Sequence, residues 1–265
     1  DARTKKKNCV IVFLDVSKAF DSVGHAHIEK CLKSQGVSNN LQSLISSLLA
    51  STHTRIEVGT SRSEAIIVKR GVPQGSPLSP ILFNCAINYV YDMLCTTDFV
   101  NEVGYPLDEQ YGSLLLTAFA DDQAITTDSI ENAIRVTQLV RQALQMIGLD
   151  VNPAKSSAIY INDGNLTTGS LPLDDGSSIP CIGPDCTIKY LGCKFNGQLS
   201  FDESMVGEIT TALNHLIATP LLNGSQKLGF LNQYVAPRLS YSIQSVPINR
   251  IPTEAINVID NNMRR

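Results

Sequence analysis

Thr117-Ala118-Phe119-Ala120-Asp121-Asp122-Gln123-Ala124-Ile125 decides how this chain is read. Ser113-Leu114-Leu115-Leu116 run before it and Thr126-Thr127 after it, so short apolar runs rich in strand formers flank a pair of acids. That pattern predicts a tight β-hairpin with the Asp pair at or beside its turn. Adjacent anions repel each other and are costly to bury unless a cation or a donor lies between them. A hard divalent ion removes that cost, because Mg²⁺ takes carboxylate oxygens and leaves positions open for phosphate. A solvated turn that merely carries two Asp residues is an equal reading of this stretch taken alone.

A second stretch tips the balance. Cys9-Val10-Ile11-Val12-Phe13-Leu14 is a continuous apolar run that ends in Asp15 and continues as Val16-Ser17-Lys18-Ala19-Phe20-Asp21. A buried strand with a carboxylate at its C-terminal end is how a sheet presents a metal ligand. Asp15, Asp121 and Asp122 therefore predict a three-carboxylate site on two adjacent strands. Such a set suffices for two metal ions about 3.5–4 Å apart and for in-line displacement at phosphorus.

The 265 residues allow one large domain or two small ones, with ample apolar content for a core. The seven Cys residues, without any Cys-x-x-Cys, predict buried free thiols rather than a disulfide framework or a zinc site. No apolar run is long enough to span a membrane and no signal peptide is evident, so an intracellular, soluble protein is expected. The net charge of −4 hides an asymmetry. Residues 1–70 hold eleven Lys/Arg against six Asp/Glu, whereas 92–131 hold nine acids and no base. An acidic middle suits a metal site, and a basic first third suits a phosphate backbone. Uneven charge on an ordinary domain fits the same numbers.

The third landmark is Arg70-Gly71-Val72-Pro73-Gln74-Gly75-Ser76-Pro77-Leu78-Ser79-Pro80. Its glycines and prolines predict an irregular loop, with Ser79 as N-cap and Pro80 as the first residue of a helix that turns Leu82, Ala86, Tyr89, Val90 and Met93 to one side. A Gly-bearing loop entering a helix lets backbone N–H groups approach a phosphate or base, and Gln74 adds an amide there. A plain structural connection is the competing reading.

Elsewhere, periodicity predicts a helix around Ile28, Cys31 and Leu32 closed by Gly36, and another over Asn39 to Ala50 with Leu41, Leu44, Ile45, Leu48 and Leu49 at helical spacing. Arg55–Gly59 and Ala65–Val68 predict a strand pair, 98–112 a polar loop, and Ser129 the cap of a long helix ended by Gly148. A strand at Ala158–Ile161, a long exposed loop over 162–178, and a hairpin at Ile188–Phe195 follow. From Phe201 the pattern is helical, over about 203–218, 225–235, 238–244 and 253–263, with a domain boundary near 197–202.

With these landmarks in order, the sequence resembles the reverse transcriptases of retroelements, above all the non-LTR (LINE-type) retrotransposon enzymes. Phe13–Asp21 resembles that family's first palm motif, Gly71–Pro80 its second, and Phe119–Asp122 its third. Gly148-Leu149 through Asn152 to Lys155 is similar to the fourth, and Lys189-Tyr190-Leu191-Gly192 to the fifth, the primer grip.

The resemblance implies an α+β right-hand polymerase palm over 1–197, a mostly antiparallel sheet with helices on one face, followed by a helical thumb or connection segment over 198–265. It implies that Asp15, Asp121 and Asp122, with the Val16 carbonyl, bind two Mg²⁺ ions, with Mn²⁺ as a substitute. Phe20 would lie under the incoming sugar, Gln74 and Gly75 would contact nucleotide and template, and Lys155 would protonate departing pyrophosphate. Tyr190, Leu191 and Gly192 would hold the primer.

Its implied partners are an RNA template, a DNA primer or target, dNTPs, and the fingers, thumb and endonuclease parts of a parent polyprotein acting in the nucleus. The expected piece lacks most of the fingers, which predicts an uncovered palm face and poor solubility. Phe119 stands where many retroelement enzymes carry Tyr, a variant associated with site-specific non-LTR lineages. A group II intron-like or cellular reverse transcriptase is the alternative enzyme, and a domesticated remnant that binds RNA without catalysis is the alternative outside enzymes.

Overall fold

A computed structural model of the chain describes residues 2–108, 110–196 and 203–244, with positions 254, 257 and 261. The chain divides into two compact units, Asp1–Ile182 and Gly183–Arg265. The first is built on a seven-stranded sheet. Its order is Gly169–Pro172, Ser178–Cys181, Ser157–Asn162, Cys9–Asp15, Asp122–Thr127 and Leu116–Phe119, with Asn165–Thr167 also pairing Ser157–Asn162. Every pairing is antiparallel except the one that joins Ala158 to Cys181.

The period-two pattern of Cys9–Asp15 explains why that strand is central. Val10, Val12 and Leu14 point into the core and are almost fully buried, while Ile11, Phe13 and Asp15 share the other, partly open face. The helix Ile130–Met146 packs on Cys9–Asp15 and Asp122–Thr127, and the helix Ser79–Leu94 packs against it in turn. Phe83, Ile125 and Leu144 fill the interior. Each such side chain contributes roughly 1.5–3 kcal/mol by leaving water. Ser129 caps the Ile130–Met146 helix by accepting from the Asn132 N–H at 3.2 Å. Gly148 closes it at φ 88°, letting the Leu149 N–H reach the Leu144 carbonyl.

Several expectations are corrected. The helix Asn39–Ala50 buries only Ile45 and Leu49, and Leu41, Leu44 and Leu48 are exposed. The strand pair expected from Arg55–Gly59 and Ala65–Val68 is two nested hairpins, His53–Thr54 with Ile66–Ile67 and Glu57–Val58 with Ser61–Arg62. They separate because the Ser63 hydroxyl takes the Ile56 N–H and breaks the ladder between them. Leu78, not Ser79, is the N-cap of the Ser79–Leu94 helix, since the Ser79 hydroxyl donates instead to the Pro73 carbonyl. Met93, expected on the buried side of that helix, is exposed.

The region expected as a polar loop contains the helix Thr97–Val103, capped by Thr96, and the hairpin Tyr105–Asp108 with Gly112–Leu114. Pro106 is tolerated there because this two-stranded sheet leaves its edge unpaired. Residues 162–178 likewise hold Asn165–Thr167, Gly169–Pro172 and the start of Ser178–Cys181, anchored by buried Leu171, Leu173 and Ile179. All seven cysteines are free thiols, but Cys186 is exposed.

The second unit contains the hairpin Thr187–Tyr190 with Cys193–Asn196, then the helices Glu203–Ala218, Gly224–Phe230 and Ala236–Gln244. The expected break near 197–202 and nearly all of the expected helix at 253–263 lie outside the described residues. A π-helical turn, Leu231–Val235, joins the helices on either side of it, so Pro237 does not end the chain's helical run. Proline lacks the N–H that a regular α-turn needs, and a π-turn is one way to absorb that loss. Among the described residues no helix is long and apolar enough to cross a membrane.

Candidate active site

The carboxylates come together at one end of the sheet. Antiparallel pairing sets Asp15 directly opposite Asp122, so both project from the same, partly open face. Phe119 pairs with Asp122, which leaves Ala120 and Asp121 as a two-residue turn. Ala120 takes a left-handed φ of 54°, a strained conformation for a residue with a Cβ. Solvent reaches Asp122, yet partial burial of its carboxyl, and then the charges of Asp121 and Asp15, raise its pKa above the usual carboxylate value. Among the described residues no Lys or Arg forms an ion pair with any of the three.

No three His, Cys, Asp or Glu side chains among the described residues converge closely enough to enclose an ion. The carboxylates thus border an open face rather than a closed cage. Their mutual repulsion, relieved by no ion-paired cation among the described residues, is what a hard divalent ion would remove, and in that respect the donor set fits Mg²⁺.

Val16 extends this end of the strand. It bridges Val151 through two flanking bonds, Asn152 N–H to the Asp15 carbonyl and Ser17 N–H to the Asp150 carbonyl, both 2.8 Å. In that arrangement the peptide groups of Val16 itself turn away from Val151, towards the side on which Asp122–Thr127 runs. Gln123, next in sequence to the Asp pair, faces the core opposite Leu14, and its amide is buried without a hydrogen-bond partner. A glutamine beside two acids reads as a surface residue, so its burial was not foreseeable.

The second motif docks on the first. The Gly71 and Val72 N–H groups donate to the Val23 and Phe20 carbonyls at 2.7 Å, and the Gln74 amide donates to Asp21 at 3.1 Å. Gly71 cannot be replaced without strain: its φ is 82°, and a Cβ there would lie 2.7 Å from the Asp21 backbone. His25 closes the junction with a 2.8 Å bond to the Gly71 carbonyl. Phe20 stacks on Phe83 with ring centroids 4.5 Å apart. Together with Gln74, Gly75 and Pro77 it lines a recess of about 400 Å³.

Lys155 lies exposed on the turn before the strand Ser157–Asn162, and among the described residues it forms no ion pair. Ser156 beside it is buried and accepts the Asp15 N–H at 3.1 Å. Nothing in the sequence signalled that role. In the second unit, Tyr190, Leu191 and Gly192 form the tip of the Thr187–Asn196 hairpin, with Leu191 and Gly192 at φ 48° and 81°.

Comparison with known proteins gives the family. Residues 1–195 match the family described as reverse transcriptase (RNA-dependent DNA polymerase). The chain is 30% identical over 248 residues to a retrovirus-related Pol polyprotein from a type-1 R2 retrotransposable element of Popillia japonica, covering 92% of this chain and 34% of the relative. It is 29% identical to the RNA-directed DNA polymerase of the mobile element jockey from Drosophila funebris, over 92% of this chain and 26% of that one.

The chain thus spans about a third or less of these relatives. Among solved structures, apo telomerase from Candida tropicalis superposes with a TM-score of 0.52 at 12% identity, over 98% of this chain and 47% of that one, a likeness of fold. By its match over 1–195, the chain belongs to the reverse transcriptase family, in company with non-LTR retrotransposon proteins.

Proposed function

We propose that this chain is the catalytic palm of an RNA-directed DNA polymerase. It would act in a non-LTR retrotransposon polyprotein that extends a DNA primer on an RNA template by nucleotidyl transfer from a dNTP. The observation that carries this reading is the Asp15–Asp122 pair beside the Ala120–Asp121 turn, in the same unit as the Phe20–Gln74–Gly75 recess. Asp15, Asp121 and Asp122, with the Val16 carbonyl, are the residues that would hold Mg²⁺, or Mn²⁺ in its place. Bound divalent ions lower the pKa of an attacking hydroxyl and offset charge on the triphosphate.

The chain's own residues do the rest by position. Phe20, fixed by its stack on Phe83, presents an aromatic wall on which a deoxyribose fits and a 2′-hydroxyl is disfavoured. Gln74, held by Asp21, and Gly75, without a side chain, leave room for base and template. Lys155, exposed on its turn, supplies a proton to departing pyrophosphate. Tyr190, Leu191 and Gly192 steady the primer, and copying at a chromosomal target places the activity in the nucleus. The named relatives are transposon proteins, which favours a retrotransposon origin over a cellular or intron-borne one.

Primer extension on an RNA template with Mg²⁺ tests the proposal. Extension by the wild type that Asp121→Asn abolishes is the expected result. A folded wild type that fails to extend, or a variant that extends equally well, would contradict it.

A further inference from the structure

Resting on that reading, we infer that Ser156 and Arg141 are positioning residues that hold the Asp15–Val16 end of the carboxylate site. The regular ladder between Cys9–Asp15 and Ser157–Asn162 ends at Phe13 opposite Ser157. Beyond it no strand among the described residues pairs on that side, and the loop Asp150–Ser156 takes over. The Asp15 N–H donates to the Ser156 hydroxyl at 3.1 Å, the Asn152 N–H to the Asp15 carbonyl at 2.8 Å, and the Ser17 N–H to the Asp150 carbonyl at 2.8 Å. Ser156 is 2% exposed and returns its own proton to the Asn152 carbonyl at 2.8 Å, so the loop is closed on itself while it grips the strand end.

The loop is fixed in turn at its other end. One carboxylate oxygen of Asp150 accepts from the Val151 N–H at 2.9 Å, from Gln145 at 3.2 Å and from Arg141 Nε at 3.3 Å. Arg141 reaches on to Asp175 through Nη2 at 2.6 Å, and its side chain is only 12% exposed. Asp175 is itself bound by the Ser177 N–H at 2.9 Å. One guanidinium therefore links the helix Ile130–Met146, the first residue of the gripping loop, and the turn before Ser178–Cys181.

A planar fork suits two carboxylates at once, which a lysine cannot reproduce. Both acids keep much solvent exposure, so the pair adds little global stability. What it fixes is the Asp150 carbonyl that receives Ser17, and with it the peptide groups flanking Val16. Groups one step removed from a ligand typically govern metal affinity or activity by about ten- to a hundredfold.

Amide hydrogen exchange and primer extension on the full chain test this together. Arg141→Met is expected to raise exchange at Ser17 and Asn152 about tenfold, with little change in melting temperature. It should also raise the Mg²⁺ concentration for half-maximal extension and lower kcat about tenfold, at an unchanged KM for dNTP. Arg141→Lys should restore part of each, and Ser156→Ala should release the Asp15 amide. Arg135→Met, on the same helix with its exposed partner Glu102, should change none of them.

Unchanged exchange at Ser17 and Asn152 in folded Arg141→Met would overturn the inference. So would a kcat loss with the wild-type Mg²⁺ dependence. If the wild type does not extend at all, the function proposed above fails, and the exchange measurement still decides whether this loop holds the strand end.

Discussion

The Phe119–Asp122 and Tyr190–Cys193 hairpins share a plan and differ in how they are held. Each closes on a two-residue turn, and each sets a residue with a Cβ in the left-handed region, Ala120 at φ 54° and Leu191 at φ 48°. The first continues into Asp122–Thr127, a strand paired on both sides within the seven-stranded sheet. The second forms a sheet of its own two strands, and the Tyr241 hydroxyl braces its tip by donating to the Leu191 carbonyl. A carboxylate that must hold its place against two other anions gains from a sheet that cannot shift its register. A tip with no such charge can be set by a neighbouring helix.

The largest expected effect comes from stripping each tip of its side chain. Asp122→Ala should lower extension about 10³-fold, because the divalent ions that would offset charge in the transition state would lose a ligand. Tyr190→Ala should lower it about tenfold or less, seen as a higher KM for primer. Comparable losses would erase the division between a chemical hairpin and a holding one.

Turn substitutions sharpen the contrast. Ala120→Val puts a β-branched residue at positive φ and should cost about 1–3 kcal/mol in denaturant unfolding. Leu191→Gly removes strain of the same kind and should leave stability within about 1 kcal/mol of wild type. Tyr241→Phe removes the brace and should reduce extension only about two- to fivefold.

The smallest effect is a pH dependence confined to the first hairpin. Burial, then Asp121 and Asp15, raise the Asp122 pKa in the folded chain. A raised carboxyl pKa means the folded state binds this proton more tightly than the unfolded one. Ionised Asp122 therefore costs stability at neutral pH, and the cost fades as pH falls through the raised value towards that of an ordinary carboxylate. Metal-free Asp122→Asn should melt higher than wild type at pH 7 by no more than about 2 °C, since solvent screens this group. The gap should close in acid, and melting curves across that range check it.

The parts most legible in the sequence were those with a period or a chemical reason for their spacing. The run Cys9–Leu14 ending in an acid, the stripe in Ile130–Met146, and two acids between apolar runs each left few alternatives. The Tyr105–Asp108 and Gly169–Pro172 strands were hidden because they are short, polar on one face and rich in residues that also make turns. Their few buried anchors, Tyr105 and Leu171, are too sparse for any window to register. The roles of Ser156 and Arg141 were invisible for another reason. Ser156 holds a main-chain group far away in sequence and Arg141 joins two carboxylates on separate loops, and a hydroxyl or guanidinium at those positions looks like any surface side chain.

The three carboxylates at the end of two strands are proposed to hold divalent ions, and Mn²⁺ binding followed by electron paramagnetic resonance tests that most directly. The wild type should bind Mn²⁺, and Asp15→Asn and Asp122→Asn should each weaken binding at least about tenfold while keeping the wild-type fold. Equal Mn²⁺ affinity in wild type and both variants would contradict it.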